Sequence, residues 1–282
     1  MSPAPSAGRE RGLGHGQVRG RVLIIAGSDS GGGAGIQADI KAVTALGGYA
    51  ATAITALTVQ DTVTVHAVHD VPADFVALQM RVVLQDIGAD AVKTGMLHRA
   101  DIIHAVADTL ADLAPELPLV VDPVMVAKGG ASLLQREAET ALREVLIPRA
   151  TLITPNLPEA EALGGLKIPD AAAMPAAAQA LLRLGPKAVL LKGGHLPGDE
   201  LTDLLVTAHG SDRFEGRRIP SRSTHGTGCT LASAIAAGLA FGQPLNFAVE
   251  QARLYLRRAI ETAPGLGKGH GPLNHGHTVA SR

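Results

Sequence analysis

Tryptophan is absent from this 282-residue chain, cysteine occurs once, and aromatic residues make up only 2% of it. So few rings argue against a surface that grips single-stranded nucleic acid by stacking bases. They also disfavour an all-β sandwich, which leans on aromatic and β-branched side chains. The lone cysteine, Cys229, excludes an internal disulfide framework and any zinc site built from two or more thiolates, and it fits a reducing cytoplasm. Net charge is missing as well. Lys and Arg number 25 against 26 Asp and Glu, a formal −1, so no global field draws the chain to nucleic acid or an anionic membrane.

Uninterrupted apolar runs are lacking too. Residues 42–60 and 223–249 carry no Asp, Glu, Lys or Arg. Gly47-Gly48 breaks the first, however, and Gly226, Gly228, Gly238, Gln243, Pro244 and Asn246 break the second. A spanning helix wants about 20 predominantly apolar residues, so buried strands and helices are the better reading and no membrane partner is expected. The first 20 residues have charges but no apolar stretch, and read as a disordered tail rather than a signal peptide.

What is present is 46% hydrophobic residues and 33 glycines, enough for a large core. Val22–Ala26 is a short apolar run before Gly27 and reads as a buried first strand. A helix is expected from about 36 to 46, closed by Gly47-Gly48. Strands follow at 50–56 and 63–71, then a helix from Pro72 to about 86 with Phe75, Val76, Met80 and Val83 on one face. Further strands are expected at 91–94, 119–122, 152–154 and 188–192. Helices are expected at about 100–113, 136–146, 158–164, 174–184, 229–240 and 245–262. A hairpin spans 203–207 and 213–219. Strands separated by helices imply a mostly parallel sheet covered on both faces. With no linker inside 21–275, one domain is expected there, followed by a flexible C-terminus at 276–282. Ligands of such sheets bind beyond the carboxyl ends of the strands. That directs attention to Asp29, Lys93, Asp122, Asn156 and Lys192.

Two glycine loops stand at these ends. Residues 27–35 fit neither a Walker A, for want of a following Lys-Ser or Lys-Thr, nor G-x-G-x-x-G. They form either a tight strand-to-helix turn or a wall along which backbone can approach a small ligand. Thr224-His225-Gly226-Thr227-Gly228-Cys229 runs straight into an apolar helix. Converging backbone N–H groups at a helix start make an anion hole suited to a phosphoryl group. Cys229 lies in the first turn, where a thiol pKa is typically lowered. It could take a proton from a substrate hydroxyl, hydrogen-bond that hydroxyl, or simply fill space as a small hydrophobe.

Several motifs occur in a recognisable order. They are Ala26–Asp29 with Gly32–Asp39, Ile54–Leu57 with Gln60, Lys93–Leu97, Asp122–Met125, Thr154–Asn156 with Pro158–Ala160, Leu191–His195, Thr224–Thr230 and Gly269–Pro272. Together they resemble the bacterial hydroxymethylpyrimidine/phosphomethylpyrimidine kinases of the ribokinase-like superfamily. The resemblance implies a three-layer α/β/α sandwich with a central, mostly parallel sheet. It implies transfer of the γ-phosphoryl of ATP to 4-amino-5-hydroxymethyl-2-methylpyrimidine and then to its monophosphate, in thiamine biosynthesis, by a cytoplasmic homodimer. The pyrimidine pocket would involve Gly27, Ala34, Asp39, Gln60 and Met96, with Asp39 and Gln60 pairing with the ring edge. Lys192 would bind phosphate beside Gly226, Gly228 and Cys229. Asn156, Thr224, Thr227 and Lys268 fall on the nucleotide side, and Glu159 with Asp122 near Mg2+.

Sugar and adenosine kinases of the superfamily have Asp where this chain has Cys229, which argues against a sugar kinase and leaves the general base open. Ser30-Gly31 replaces the family's more usual Pro-Ser and bears on loop stiffness. Pyridoxal kinase is the alternative enzyme, and a non-catalytic pyrimidine sensor is the alternative of another class. His270, His275 and His277 suggest either a metal site or a mobile tail, and the tail is expected.

Overall fold

The computed structural model describes residues 20–126, 130 and 133–279. All but the last residue of the expected N-terminal tail, and residues 280–282, lie outside that range. Strands are β1 (Arg21–Ala26), β2 (Tyr49–Ile54), β3 (Ala56–Gln60), β4 (Val65–Asp70), β5 (Ala91–Thr94), β6 (Leu119–Val121), β7 (Leu152–Ile153), β8 (Ala188–Lys192), β9 (Glu200–Thr207) and β10 (Gly210–Arg217). Helices are α1 (Gly35–Ala45), α2 (Ala73–Asp86), α3 (Ala100–Leu113), α4 (Arg136–Ala141), α5 (Leu157–Gly164), α6 (Met174–Leu182), α7 (Thr227–Ala240) and α8 (Leu245–Glu261).

Eight strands form one sheet in the order β10-β9-β8-β7-β6-β5-β1-β2, parallel from β2 to β8 and antiparallel through β9 and β10. Alternation along β1 shows how the layers arise. Leu23 and Ile25 face one core, shared with α2 to α6, while Val22, Ile24 and Ala26 face the other, shared with α1, α7 and α8. The second core is built largely from alanine, including Ala232, Ala234, Ala236, Ala237 and Ala240 of α7. Small side chains bring helix and sheet close together, so a dense core needs few rings. The three-layer α/β/α architecture is as expected.

Three local expectations need correction. The segment after β2 holds an additional strand: β3 and β4 pair antiparallel as a separate two-stranded sheet, with a bulge between Val59 and Gln60. Residues 63–71 therefore do not extend the central sheet. In α2, Val76 and Met80 are buried as expected, but Phe75 is 55% exposed. Residues 136–146 are α-helical only to Ala141; a π turn and a 3-10 turn containing Pro148 continue to Arg149.

The expected flexible C-terminus is ordered in its described part. His275–Thr278 form a 3-10 turn, with His275 buried and its Nδ1 2.9 Å from the Tyr255 hydroxyl of α8. Burial, aided by the positive Lys41 and by His277, pushes His275 down to about 4 from 6.5. As pH falls through that interval the unfolded chain takes a proton that the folded chain refuses, so stability is lost on acidification. We expect a loss of about 2–3 kcal/mol between pH 7 and 4.5 from this group. Urea midpoints at the two pH values should converge in His275→Gln; an unchanged pH slope would contradict the assignment.

Candidate active site

Topology fixes where a cleft can open. From β1 the chain moves outward to β2, then returns across β1 to lay down β5, so the loops after β1 and β5 diverge at a switch point. A cleft of about 1210 Å³ begins there and continues past the ends of β6 and β8 to β10 and α8. Gly27, Ala34, Gln60 and Met96 line one end. Asp122, Asn156, Glu159, Lys192, Thr224, Gly226, Thr227, Gly228 and Cys229 line the middle. Arg213 and Arg217 of β10, with Arg253 and Arg257 of α8, line the far end, where Arg253 pairs with Asp203 at 2.8 Å and Arg257 with Glu261 at 3.0 Å. No sequence motif had marked these four arginines.

The two glycine loops meet inside the cleft. Gly226 caps α7 with φ +80, and a side chain there would run into the Gly33 carbonyl, so only glycine permits this approach. A methyl group at Gly228 would sit 3.4 Å from both Asp122 Oδ2 and Lys192 Nζ, which puts the start of α7 against that pair. Lys192 closes β8 and bonds Asp122 Oδ1 at 3.2 Å, and Thr154 donates to the same oxygen at 3.0 Å. Burial opposes the Lys192 charge, but Asp122 and Glu159 outweigh it and hold its pKa above the ordinary value.

Asn156 and Glu159 form a capping box on α5. The Glu159 N–H donates to Asn156 Oδ1 at 3.0 Å, and the Asn156 N–H donates to Glu159 Oε2 at 2.9 Å. Their motif is thus also a helix start, and the structural role coexists with cleft exposure. Burial, with Asp122 adding its negative charge against the pull of Lys192, pushes Glu159 up to about 7.

Asp39 is not where its motif suggested. It is fully buried in α1, off the cleft wall, with Lys93 Nζ at 2.9 and 2.8 Å from its two oxygens and the Ser233 hydroxyl donating at 2.7 Å. Burial penalises the Lys93 charge, but the Asp39 carboxylate outweighs that penalty and raises the Lys93 pKa. Lys93 is the member of the pair that lines the cleft.

Cys229 is the third residue of α7. The expectation of a lowered thiol pKa fails. Burial pushes it up to about 12, beyond what nearby Lys93 and the Gly35 N–H bonded to the sulfur recover. The thiol is therefore protonated at neutral pH. Lys268 is exposed and absent from the cleft lining, where His270 stands instead; its carbonyl merely accepts from Arg222.

Three organising residues had no role assigned to them in the sequence, Asp29 being marked there only as a strand-end residue. Asp29 accepts backbone N–H bonds from Gly31, Gly33 and Ala34 at 2.8, 2.9 and 2.7 Å, which shapes the first glycine loop. Burial works against its charge, yet His225 Nε2, 2.8 Å away, and those N–H groups hold its carboxyl below the ordinary value. Arg218, just after β10, donates to the carbonyls of Gly198, Gly194 and Leu196 and so ties down the loop that follows Lys192. The loop-shaping role of Asp29 was legible in principle, since Asp followed by Ser and glycines is a common turn signal. His225 and Arg218 act over distances that sequence spacing does not encode.

With this geometry in hand, the relatives are informative. Residues 29–274 match the phosphomethylpyrimidine kinase family. Over 91% of its length the chain is 51% identical to the hydroxymethylpyrimidine/phosphomethylpyrimidine kinase of Rhizobium meliloti, covering 97% of that protein. It is 54% identical to the thiamine biosynthesis bifunctional protein ThiED of Geobacter sulfurreducens, again over 91% of this chain, and spans only 52% of that longer protein. An ADP complex of Bacillus subtilis pyridoxal kinase superposes with a TM-score of 0.84 at 37% identity, covering 92% of this chain and 98% of that one. The chain belongs to the phosphomethylpyrimidine kinase family.

Proposed function

We propose that this chain, an ATP-dependent phosphotransferase of that family, phosphorylates 4-amino-5-hydroxymethyl-2-methylpyrimidine and then its monophosphate, yielding the diphosphate used in thiamine biosynthesis. The observation that carries the reading is the meeting of Lys192, Asp122 and the glycine start of α7 in one cleft with the small pocket of Gly27, Ala34, Gln60 and Met96. ATP would lie on the side of the cleft lined by Asn156, Thr224 and Thr227, its γ-phosphate toward Lys192. In the first step the substrate hydroxyl oxygen bonds to the γ-phosphorus as the bond to the β–γ bridging oxygen breaks and ADP leaves, the hydroxyl proton passing through a phosphoryl oxygen to solvent.

Lys192 and the N–H groups of Gly226–Cys229 would neutralise charge on the transferring group. The protonated Cys229 cannot serve as a base. It can hydrogen-bond the substrate hydroxyl, and a loose transition state needs little deprotonation of the nucleophile. In the second step the attacking phosphate oxygen is already anionic. Asp122 and Glu159 offer hard carboxylate oxygens on the cleft wall, the donor type Mg2+ takes alongside water and phosphate oxygens. Those two residues would hold Mg2+, which when bound supplies charge neutralisation for the phosphates. Thr224, Thr227 and Asn156 stay on the nucleotide side of this reading; Lys268 drops out.

The test is product analysis with ATP-Mg and the free pyrimidine. Successive appearance of mono- and diphosphate is expected, with slower turnover on pyridoxal. Transfer to pyridoxal alone would overturn the substrate, and tight pyrimidine binding without transfer would revive the sensor. A second measurement addresses the thiol: iodoacetamide should label Cys229 slowly at pH 7, and Cys229→Ser should keep turnover within about tenfold of the parent, as expected for a hydrogen-bonding rather than an ionised group.

One domain over 21–275 is part of the proposal, since a single sheet carries both ends of the cleft. No helix among the described residues is long and apolar enough to cross a membrane, and a cytoplasmic homodimer is the assembly we favour. The outward face of β3, with Leu57 46% and Val59 59% exposed, supports self-association. Sedimentation equilibrium should return twice the chain mass.

A further inference from the structure

Gln60 reaches the cleft from the end of β3 with both ends of its amide occupied. The terminus facing Thr58 (Oε1) lies 3.2 Å from the Thr58 hydroxyl oxygen, and the terminus facing His225 (Nε2) lies 3.4 Å from His225 Nε2. What these neighbours can donate and accept decides which way the amide must point.

His225 Nε2 is also 2.8 Å from Asp29 Oδ2. That carboxylate accepts three backbone N–H bonds and is held below the ordinary value, so it is ionised and can only accept. The imidazole nitrogen facing it must carry a proton, whether the ring is neutral or cationic. A protonated Nε2 cannot accept a bond from an NH2 group. On the other side, the Thr58 hydroxyl has one hydrogen, and its shorter contact is the Ser28 carbonyl at 2.9 Å. Toward Gln60 the hydroxyl oxygen is therefore an acceptor.

His225, whose single Nε2 proton points to Asp29, rejects an NH2 on its side, and the Thr58 oxygen accepts one, so the amide carbonyl faces His225 and the NH2 faces Thr58. The two orientations of an amide are nearly isosteric, so the hydrogen-bond network alone makes the choice. One N–H and one carbonyl lone pair are then left for a ligand, in a fixed sense. An aminopyrimidine edge, an exocyclic NH2 beside a ring nitrogen acceptor, complements that pair; a ring lacking the amine does not.

We propose that Thr58 and His225 are positioning residues that fix the sense of the Gln60 amide, and that this selects an aminopyrimidine over pyridoxal. Asp29 acts in the same chain by fixing the proton on His225, and it also shapes the glycine loop, which joins ring recognition to phosphate-loop order. The inference rests on Gln60 lying in the pyrimidine pocket.

The test uses the full chain and steady-state kinetics on the pyrimidine, pyridoxal and ATP. Thr58→Val should raise KM for the pyrimidine about tenfold, the effect of one lost hydrogen bond to a buried partner, with KM for ATP within about twofold. Its preference for the pyrimidine over pyridoxal should fall by a similar factor, and Thr58→Ser should restore both. Long-range 1H–15N spectra should show a protonated His225 Nε2 at neutral pH. If Gln60→Ala leaves the pyrimidine KM unchanged, the pocket reading itself fails. If Gln60→Ala raises that KM while Thr58→Val leaves the pyrimidine/pyridoxal preference alone, or if Nε2 is bare, the positioning role is overturned.

Discussion

Lys192→Met is expected to lower kcat by about 10²- to 10³-fold, the range seen when a preorganised charge or donor is removed from a transition state. The argument starts from position. Lys192 ends a strand whose other four residues are buried, so its backbone is fixed, and its ammonium is held between Asp122 and the start of α7. Charge on a transferring phosphoryl group grows where that ammonium already points, so little reorganisation is needed. KM for the pyrimidine should change little, because Lys192 is not among the ring-pocket residues Gly27, Ala34, Gln60 and Met96. Lys192→Arg should rescue poorly. A planar guanidinium cannot reproduce the compact ammonium held against Asp122 and the start of α7. Circular dichroism must show a folded variant. A folded Lys192→Met enzyme within tenfold of the parent kcat would refute the role.

Residues whose environment follows from local pattern were legible in the sequence. The strands Ala91–Thr94 and Ala188–Lys192 and the helix Ala100–Leu113 match their expected bounds, because apolar runs and a regular helical period leave little choice. The additional strand β3 was not legible. Only Thr55 separates it from β2, with no glycine or proline to mark a turn, and its burial alternates as an ordinary strand's does. In the site, positions close to a loop or a helix start were the legible ones: Gly226, Gly228, Asn156 and Glu159 stand at or near helix starts and all line the cleft. Their local geometry is set within a few residues.

Charges with distant partners were misjudged. Asp39 carries the same letter whether it meets a ligand or a lysine 54 residues away, and only the packing of α1 against β5 and α7 decides. Cys229 failed for a related reason. The helix start does favour a thiolate, but desolvation of the half-buried sulfur on the cleft wall outweighs it.

The buried pair itself leads to the largest stability effect expected of any single change. Asp39 and Lys93 are both 0% exposed, and Asp39 meets Lys93 through both oxygens and Ser233 through one. Asp39→Asn keeps the shape and can still accept from Ser233, yet it leaves the Lys93 charge buried without a counter-charge. Breaking such a pair from one side destabilises by about 3–5 kcal/mol. Lys93→Met alone should also destabilise, since it strands the carboxylate instead. The double variant Asp39→Asn/Lys93→Met removes both charges at nearly constant volume and should recover much of the loss, which gives a strongly non-additive cycle. Urea unfolding of the four proteins measures this directly. Additive losses, or an Asp39→Asn loss under about 1 kcal/mol, would show that the two charges are not mutually compensating. Activity supplies the second half of the argument. Because Lys93 rather than Asp39 borders the cleft, the folded double variant should have altered turnover even where its stability is restored, which separates what the pair does for the fold from what Lys93 does for the site.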